Sequence, residues 1–363
     1  MASLPVHESS HEFSLQELAK EFKQVVPDRY VQVDPQDSAT ILVSEEGSLP
    51  PSVPLIDMKD LIKMPPSKQR KTLRSICHDW GVFQVVNHGV DKLLVEKMKK
   101  EIAEFFKLPV EEKLRYKLTE GEYQGYGQTI LHTQDQKVDW ADRFYMITNP
   151  LHARKPHLLP EFPPVLRDTM ENYMQEVQKL AMILFGLIAE AVDINKKEME
   201  DVFKDDGMQS VRMTYYPPCP RPDQVVGLTP HSDGSGLTVL LQVNDVQGLQ
   251  VKKDGVWIPV NFLPDAFVVN IGDVLEIMSN GVCKSVEHRV TVNAKKERLS
   301  FAMFFNPKLE ADVGPAKSLL IGTGEQPLYR SLQMKHYLDL FFSCKLNGKT
   351  FLNKMKIIAD HEA

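Results

Sequence analysis

Arg298-Leu299-Ser300-Phe301-Ala302-Met303-Phe304-Phe305 alternates without a break: Leu299, Phe301, Met303 and Phe305 make one apolar face, and Arg298, Ser300, Ala302 and Phe304 make the other. That period of two marks a strand whose sides meet different surroundings. Working back along the chain, similar strand-like segments fall near 209–216, 237–243, 247–252, 256–260, 266–271 and 283–292. Asp254-Gly255 and the Lys295-Lys296-Glu297 segment read as hairpin turns between neighbouring strands. Many short, evenly spaced strands with Gly and Pro turns predict a closed or double-sheet antiparallel barrel, of which the jelly roll is the usual eight-stranded form.

Before residue 208 the period is helical. Residues 14–26 form an amphipathic helix candidate, with Ser14 and Glu17 at capping-box spacing. Leu55-Ile56-Asp57 reads as a first strand. A helix over 67–80 stops at Gly81, the strand Val82-Phe83-Gln84-Val85-Val86 follows, and a helix over 91–107 buries Leu94, Met98, Ile102 and Phe105. After the prolines Pro150, Pro156, Pro160, Pro163 and Pro164, a long helix over 165–192 carries a core stripe from Leu166 to Ile188. The expected class is α+β dominated by β: an arm over 1–53, an N-terminal region over 54–160, a supporting long helix over 161–207, the barrel over 208–308, and a mainly helical tail over 309–363 with Met334, Tyr337, Leu338, Phe341 and Phe342.

With 363 residues, 42% hydrophobic and 25% charged, the composition excludes disorder, collagen and coiled-coil arrays. Lys and Arg number 43 against 49 Asp and Glu, with no dense basic block, so nucleic acid is not an expected partner. The start MASLPVHESSHEF lacks a signal-peptide pattern and no eighteen-residue apolar run occurs, so neither secretion nor membrane insertion is expected. Cys77, Cys219, Cys283 and Cys344 lie far apart with no C-x-x-C pair, which fits a reduced cytoplasm.

Gly227 to Gly236 is glycine-rich but lacks the Gly-Lys-Ser/Thr of a phosphate loop and precedes a strand, so a nucleotide cradle is rejected. Within it, His231-x-Asp233 on extended backbone turns an imidazole and a carboxylate to the same side. His288 lies in a later strand-like segment that an antiparallel barrel can bring beside His231. Alone it reads first as a satisfied core histidine; with the pair it completes two His and one carboxylate, the facial set of non-haem Fe(II) oxygenases. Arg298 would face into the barrel, where a guanidinium is costly unless an anion meets it, and Ser300 could add a donor. Arg298 alone could equally sit in a structural ion pair or reach solvent.

Taken together, these segments resemble the plant 2-oxoglutarate- and Fe(II)-dependent dioxygenases, the group that includes anthocyanidin synthase, flavonol synthase, gibberellin oxidases, the senescence-related dioxygenases and the poppy alkaloid O-demethylases. The resemblance rests on Trp80 to Val90 (WGVFQVVNHGV), Tyr215-Tyr216-Pro217-Pro218-Cys219-Pro220, Leu228 to Asp233, His288-Arg289-Val290 and Arg298-Leu299-Ser300, in the family's order and spacing. Asp139-Trp140-Ala141-Asp142 and the segment from Leu151 to His157 look most like the senescence-related and alkaloid O-demethylase branch.

The resemblance implies a distorted jelly roll, the double-stranded β-helix, with residues 54–160 as the dioxygenase N-terminal region. It also implies His231, Asp233 and His288 as iron ligands, Arg298 and Ser300 on the distal carboxylate of 2-oxoglutarate, and Tyr216 donating to the same co-substrate. Thr214 stands where many relatives have Asn and offers a hydroxyl in place of an amide. The implied reaction consumes O₂, is supported by ascorbate, and couples decarboxylation of 2-oxoglutarate to succinate and CO₂ with hydroxylation or O-demethylation of a C–H bond. Carried over by position, Tyr126, Arg143, Phe144, Tyr145, Arg212, Phe304 and Asn306 would line the substrate pocket, although Phe144 and Phe304 suit the core equally well. Aromatics with a few polar tips suit an alkaloid, flavonoid or terpenoid bound by a monomer. The competing readings are an iron oxidase of the same fold that does not use 2-oxoglutarate, a hormone oxidase, and a non-enzymatic binding protein.

Overall fold

The computed structural model describes residues 14–21, 25–32, 52–119, 122–128, 136–158 and 165–357. Most of the predicted arm and the loop prolines Pro160, Pro163 and Pro164 lie outside the described residues. In chain order the strands that build the barrel are β1 (Leu55–Asp57), β2 (Val82–Val86), β3 (Gly125–Gly127), β4 (Asp142–Asn149), β5 (Gln209–Tyr216), β6 (Leu228–His231), β7 (Leu237–Gln242), β8 (Leu249–Lys253), β9 (Val256–Pro259), β10 (Phe267–Ile271), β11 (His288–Val290) and β12 (Arg298–Phe305). They form a larger sheet, β1-β2-β10-β7-β12-β5-β4-β3, and a smaller one, β6-β11-β8-β9. Among these strands, only β1 and β2 pair in parallel. The result is a jelly roll of the distorted, helix-supported kind, α+β in class and dominated by β.

The alternation of β12 explains why the larger sheet has two distinct faces. Leu299, Phe301, Met303 and Phe305 join Met213, Val239 and Leu241 in the main core, packed on the helix Leu166–Ala191. Phe301 meets Tyr173 of that helix edge to face at 5.4 Å. Each such side chain contributes roughly 1.5–3 kcal/mol of burial, so this face anchors the sheet to its helical support. The opposite face carries Tyr216, Leu240, Val268 and Ala302, which pack with Leu228, Leu249, Val251 and Val290 of the smaller sheet.

Three expectations need correction. The larger sheet draws β1, β2, β3 and β4 from before residue 160, so helices and barrel are interleaved in sequence; β4 is buried on both faces and so shows little alternation. Asp254-Gly255 does close a hairpin between β8 and β9, with φ of 50° and 82°. Lys295-Lys296-Glu297 does not, because β11 and β12 lie in different sheets; the segment crosses between them on a turn in which Asn293 accepts from the Lys295 and Lys296 amides. Finally, Ser14 makes no capping box. The first turn of the helix Leu15–Glu21 is held by Asp142 of β4, which accepts from the Leu15 amide (2.7 Å), the Gln16 amide (2.9 Å) and the Ser14 hydroxyl (2.8 Å).

Candidate active site

His231 ends β6 and stands directly opposite His288 of β11 in the ladder. Asp233 lies two residues on, in the turn toward β7. Its Oδ1 is 3.6 Å from His231 Nε2 and 3.7 Å from His288 Nε2, and the three side chains could place their ligand atoms around one ion. All three are at most 5% exposed.

The other imidazole nitrogens set the tautomers. Nδ1 of His231 lies 2.8 Å from the Thr229 carbonyl, and Nδ1 of His288 lies 3.1 Å from the Val286 carbonyl. A carbonyl only accepts, so each Nδ1 holds the proton and each Nε2 presents a lone pair to the centre. Burial first, with His231 beside it, pulls His288 down to about 4, which keeps it a neutral ligand at pH 7. Burial opposes ionisation of Asp233, but His288, His231 and Thr238 outweigh it and hold the carboxyl well below its usual range. Asn270 donates to Asp233 Oδ2 at 3.4 Å. Nε2 of His231 has no hydrogen-bond partner among the described residues. Two neutral imidazoles and one carboxylate are a donor set that fits Fe(II) and leaves positions open for other ligands.

The loop after Asp233 is pinned by backbone. The Asp273 amide donates to the Asp233 carbonyl (2.7 Å), and those of Gly272 and Val274 donate to Gly236 and Ser235. A Cβ on Gly272 would stand 2.0 Å from the Ser235 carbonyl oxygen, so only glycine permits this approach.

A small cavity between the sheets is lined by Arg298, Ser300, Tyr216, Thr238, Asn270 and His288. Arg298 is 1% exposed, lies over the Tyr216 ring at 5.1 Å, and none of its nitrogens has a hydrogen-bond partner among the described residues. Buried donors on a fixed cation, with a hydroxyl one strand step away, fit a carboxylate of a small diacid. Thr214 pairs with Ser300 across β5 and β12 but lines neither cavity.

The larger cavity, about 1050 Å³ including its open mouth, reaches His231 and Asp233. Arg143, Tyr145, Arg212, Phe304 and Asn306 line it. Tyr126 and Phe144 do not: both are wholly buried in the core. Register explains the correction, because Arg143 and Tyr145 turn inward, Phe144 between them turns outward, and Tyr126 is its cross-strand partner. Phe144 packs on Phe105 and Tyr116, and the Tyr126 hydroxyl donates to Asp142. The missed wall is the helix Met334–Phe342 and the segment after it, which supply Leu338, Phe341, Phe342 and Leu346. Its apolar positions were visible in the sequence, but their spacing could not say that part of the stripe faces a cavity.

A jelly roll with His-x-Asp and a facing His, beside a buried arginine that has no hydrogen-bond partner among the described residues, defines a non-haem iron oxygenase of the 2-oxoglutarate type. The chain belongs to the 2OG-Fe(II) oxygenase superfamily: that family's model matches residues 207–307, and the N-terminal model of the non-haem dioxygenase in morphine synthesis matches 53–164. It is 49% identical to Protein SRG1 of Arabidopsis thaliana, covering 95% of this chain and 96% of that one. It is 46% identical to oxoglutarate-dependent flavonoid 7-O-demethylase 1 of Ocimum basilicum (95% and 91% covered) and 45% identical to codeine O-demethylase of Papaver somniferum (95% and 96%). Among solved structures, JOX2 in complex with 2OG, Fe and JA matches with a TM-score of 0.83 at 35% identity, covering 95% of this chain and 97% of that one. The protein is therefore an oxidoreductase that uses Fe(II) and 2-oxoglutarate. Among the described residues, no helix is long and apolar enough to cross a membrane.

Proposed function

We propose that this dioxygenase oxidises a C–H bond of a hydrophobic, ring-bearing plant metabolite, by hydroxylation or by O-demethylation. The observation that carries the reading is a cavity walled by Tyr145, Phe304, Phe341 and Phe342 that opens directly on His231 and Asp233. Relatives named as flavonoid, codeine and thebaine O-demethylases support an O-methyl carbon as the point of attack.

In this reading His231, Asp233 and His288 hold the iron. Arg298, Ser300 and Tyr216 hold the distal carboxylate of the co-substrate, with Thr214 the cross-strand partner of Ser300. Bound iron, 2-oxoglutarate and O₂ supply a two-electron oxidation of the substrate, the 2-oxo acid leaving as succinate and CO₂. The chain's own residues orient and exclude. The Thr229 and Val286 carbonyls keep the imidazole protons away from the metal face, and Asn270 steadies the carboxylate. Tyr145, Phe304 and the two tail phenylalanines exclude water and place one carbon toward the centre. Hydroxylation of an O-methyl carbon gives a hemiacetal that releases formaldehyde and leaves a hydroxyl.

The enzyme acts as a monomer in the cytoplasm, without nucleic acid or membrane; four free cysteines and the absence of a dense basic block support this, and sedimentation of the native protein tests the monomer. The decisive experiment incubates the protein with Fe(II), ascorbate, 2-oxoglutarate and a plant extract. Products shifted by about +16 or −14 mass units, with matching succinate, are expected. Turnover without succinate would favour the oxidase that does not use 2-oxoglutarate.

A further inference from the structure

Among the described residues the charges around the larger cavity do not balance: four cationic side chains line it, Lys137, Arg143, Arg212 and Lys345, against two carboxylates, Asp139 and Asp233. Asp233 faces the two histidines, and Asp139 accepts from the amide and hydroxyl of Thr229 (3.0 and 2.5 Å) and from Gln32 (3.3 Å). Lys137 and Lys345 are exposed at the mouth, whereas the two arginines sit inside. The chain as a whole carries a net charge of −6, so this positive interior is a local arrangement.

Register brings the arginines together. Arg143 pairs with Thr214 and Arg212 with Tyr145 across β4 and β5, so the guanidiniums are diagonal neighbours on one sheet face. Like charges so placed repel, and each also loses hydration. Arg143 feels both: burial first, then Arg212, pull it down to about 10, while Asp139 opposes. Arg143 Nε donates to the Gln128 carbonyl at 3.2 Å. Arg212 lies 5.6 Å over the Phe304 ring, and its Nε is buried with no hydrogen-bond partner among the described residues. Asp139 supplies a single negative charge to this pair, and its Oδ1 accepts from Thr229 and Gln32.

We infer that Arg143 and Arg212 form a carboxylate-binding subsite in the substrate cavity, so that the metabolite is a hydrophobic acid with its anionic end on β4 and β5 and its rings against Phe304, Phe341 and Phe342. The inference rests on the proposed oxygenase reading and narrows it. A guanidinium pair takes a carboxylate with charge-assisted hydrogen bonds and relieves the mutual repulsion. A protonated amine would meet two like charges, so cationic alkaloids are disfavoured although the relatives include alkaloid demethylases.

The test is calorimetric binding to the Fe(II) and 2-oxoglutarate loaded enzyme under nitrogen, using 1-naphthaleneacetate, 4-methoxycinnamate and abietate, each beside its methyl ester. The acids are expected to bind at least about tenfold more tightly than the esters. Arg143→Met should remove that preference and Arg143→Lys should keep part of it. Equal binding of acid and ester, no binding of any acid, or equal loss for both in Arg143→Met overturns the subsite. Succinate release separates this from the function itself: acids that bind tightly but release no succinate leave the subsite standing and count against the oxygenase reading, whereas succinate released only with neutral compounds refutes the subsite alone.

Discussion

His231 and His288 are direct cross-strand partners in the smaller sheet, with ring centroids 4.3 Å apart. The metal centre is thus built from a ladder position, and its geometry is as rigid as the pairing of β6 with β11. Asp233, just beyond the strand, is held through its carbonyl by the Asp273 amide, and the loop after it by the amides of Gly272 and Val274. Two ligands come from a sheet and the third from a clamped loop.

Asp233 is the only anionic ligand, and its loss leaves two neutral imidazoles. Asp233→Ala should weaken metal binding by more than about a hundredfold and abolish succinate release, while the melting temperature of the metal-free protein changes little. Cobalt(II) titration followed by absorbance measures the first effect. Retention of stoichiometric cobalt in the variant would refute the assignment.

The buried Arg298 has donors and no acceptor among the described residues, so its energy is realised only when an anion arrives. Arg298→Met should raise the 2-oxoglutarate concentration needed for half-maximal turnover by roughly 10- to 100-fold, the worth of one or two charge-assisted bonds. Maximal turnover should survive better than affinity. An unchanged 2-oxoglutarate requirement would mean that another residue holds the co-substrate.

What could be read from the sequence depended on whether a residue's two sides differ. β12 has the bounds its alternation predicted, Arg298–Phe305, because one face meets helices and the other the barrel interior. β4 and the helix Asp273–Met278 went unread, since both are buried almost throughout and carry no polar face to set a period. For Tyr126 and Phe144, facing inward or outward depends on a register that sequence alone does not state. The groups orienting both histidines are backbone carbonyls of Thr229 and Val286, which no side-chain pattern announces.

Asp273 offers a pH signature. Its carboxyl is fully buried and accepts from the Ser285 hydroxyl at 2.6 Å; burial, offset by Ser285 and Ser232, pushes it up to about 7. The folded state therefore holds this proton more tightly than the unfolded state, where an aspartyl group titrates near 3.9. By linkage, its contribution favours folding at low pH and is lost as pH rises from about 4 to about 7. Asp273→Asn keeps an acceptor for Ser285 without the charge. In metal-free protein it should melt like wild type near pH 4 and several degrees higher at pH 7.5. Parallel melting curves at all pH values would contradict this.

The tail that walls the cavity is fastened close to the metal centre. Gly348 donates its amide to the Pro230 carbonyl (2.8 Å) and accepts from the Ser232 amide (3.2 Å), so it brackets His231. Next to it, Lys349 Nζ donates to Glu276 at 2.7 Å and to the Ser285 carbonyl at 3.0 Å. Glu276 is 3% exposed and also accepts from the Ser285 amide and the Tyr329 hydroxyl. Removing the cation leaves a buried carboxylate short of one partner, a loss of roughly 1–3 kcal/mol that falls on the strap. Lys349→Met should speed amide hydrogen exchange at Ser232 and across 337–350 about tenfold or more, with exchange in β5 and β12 unchanged. The same variant should weaken cavity ligands more than 2-oxoglutarate, because Phe341 and Phe342 ride on the tail whereas Arg298 and Ser300 sit on β12. Exchange identical to wild type across 337–350 would show that the tail is held by its apolar contacts alone.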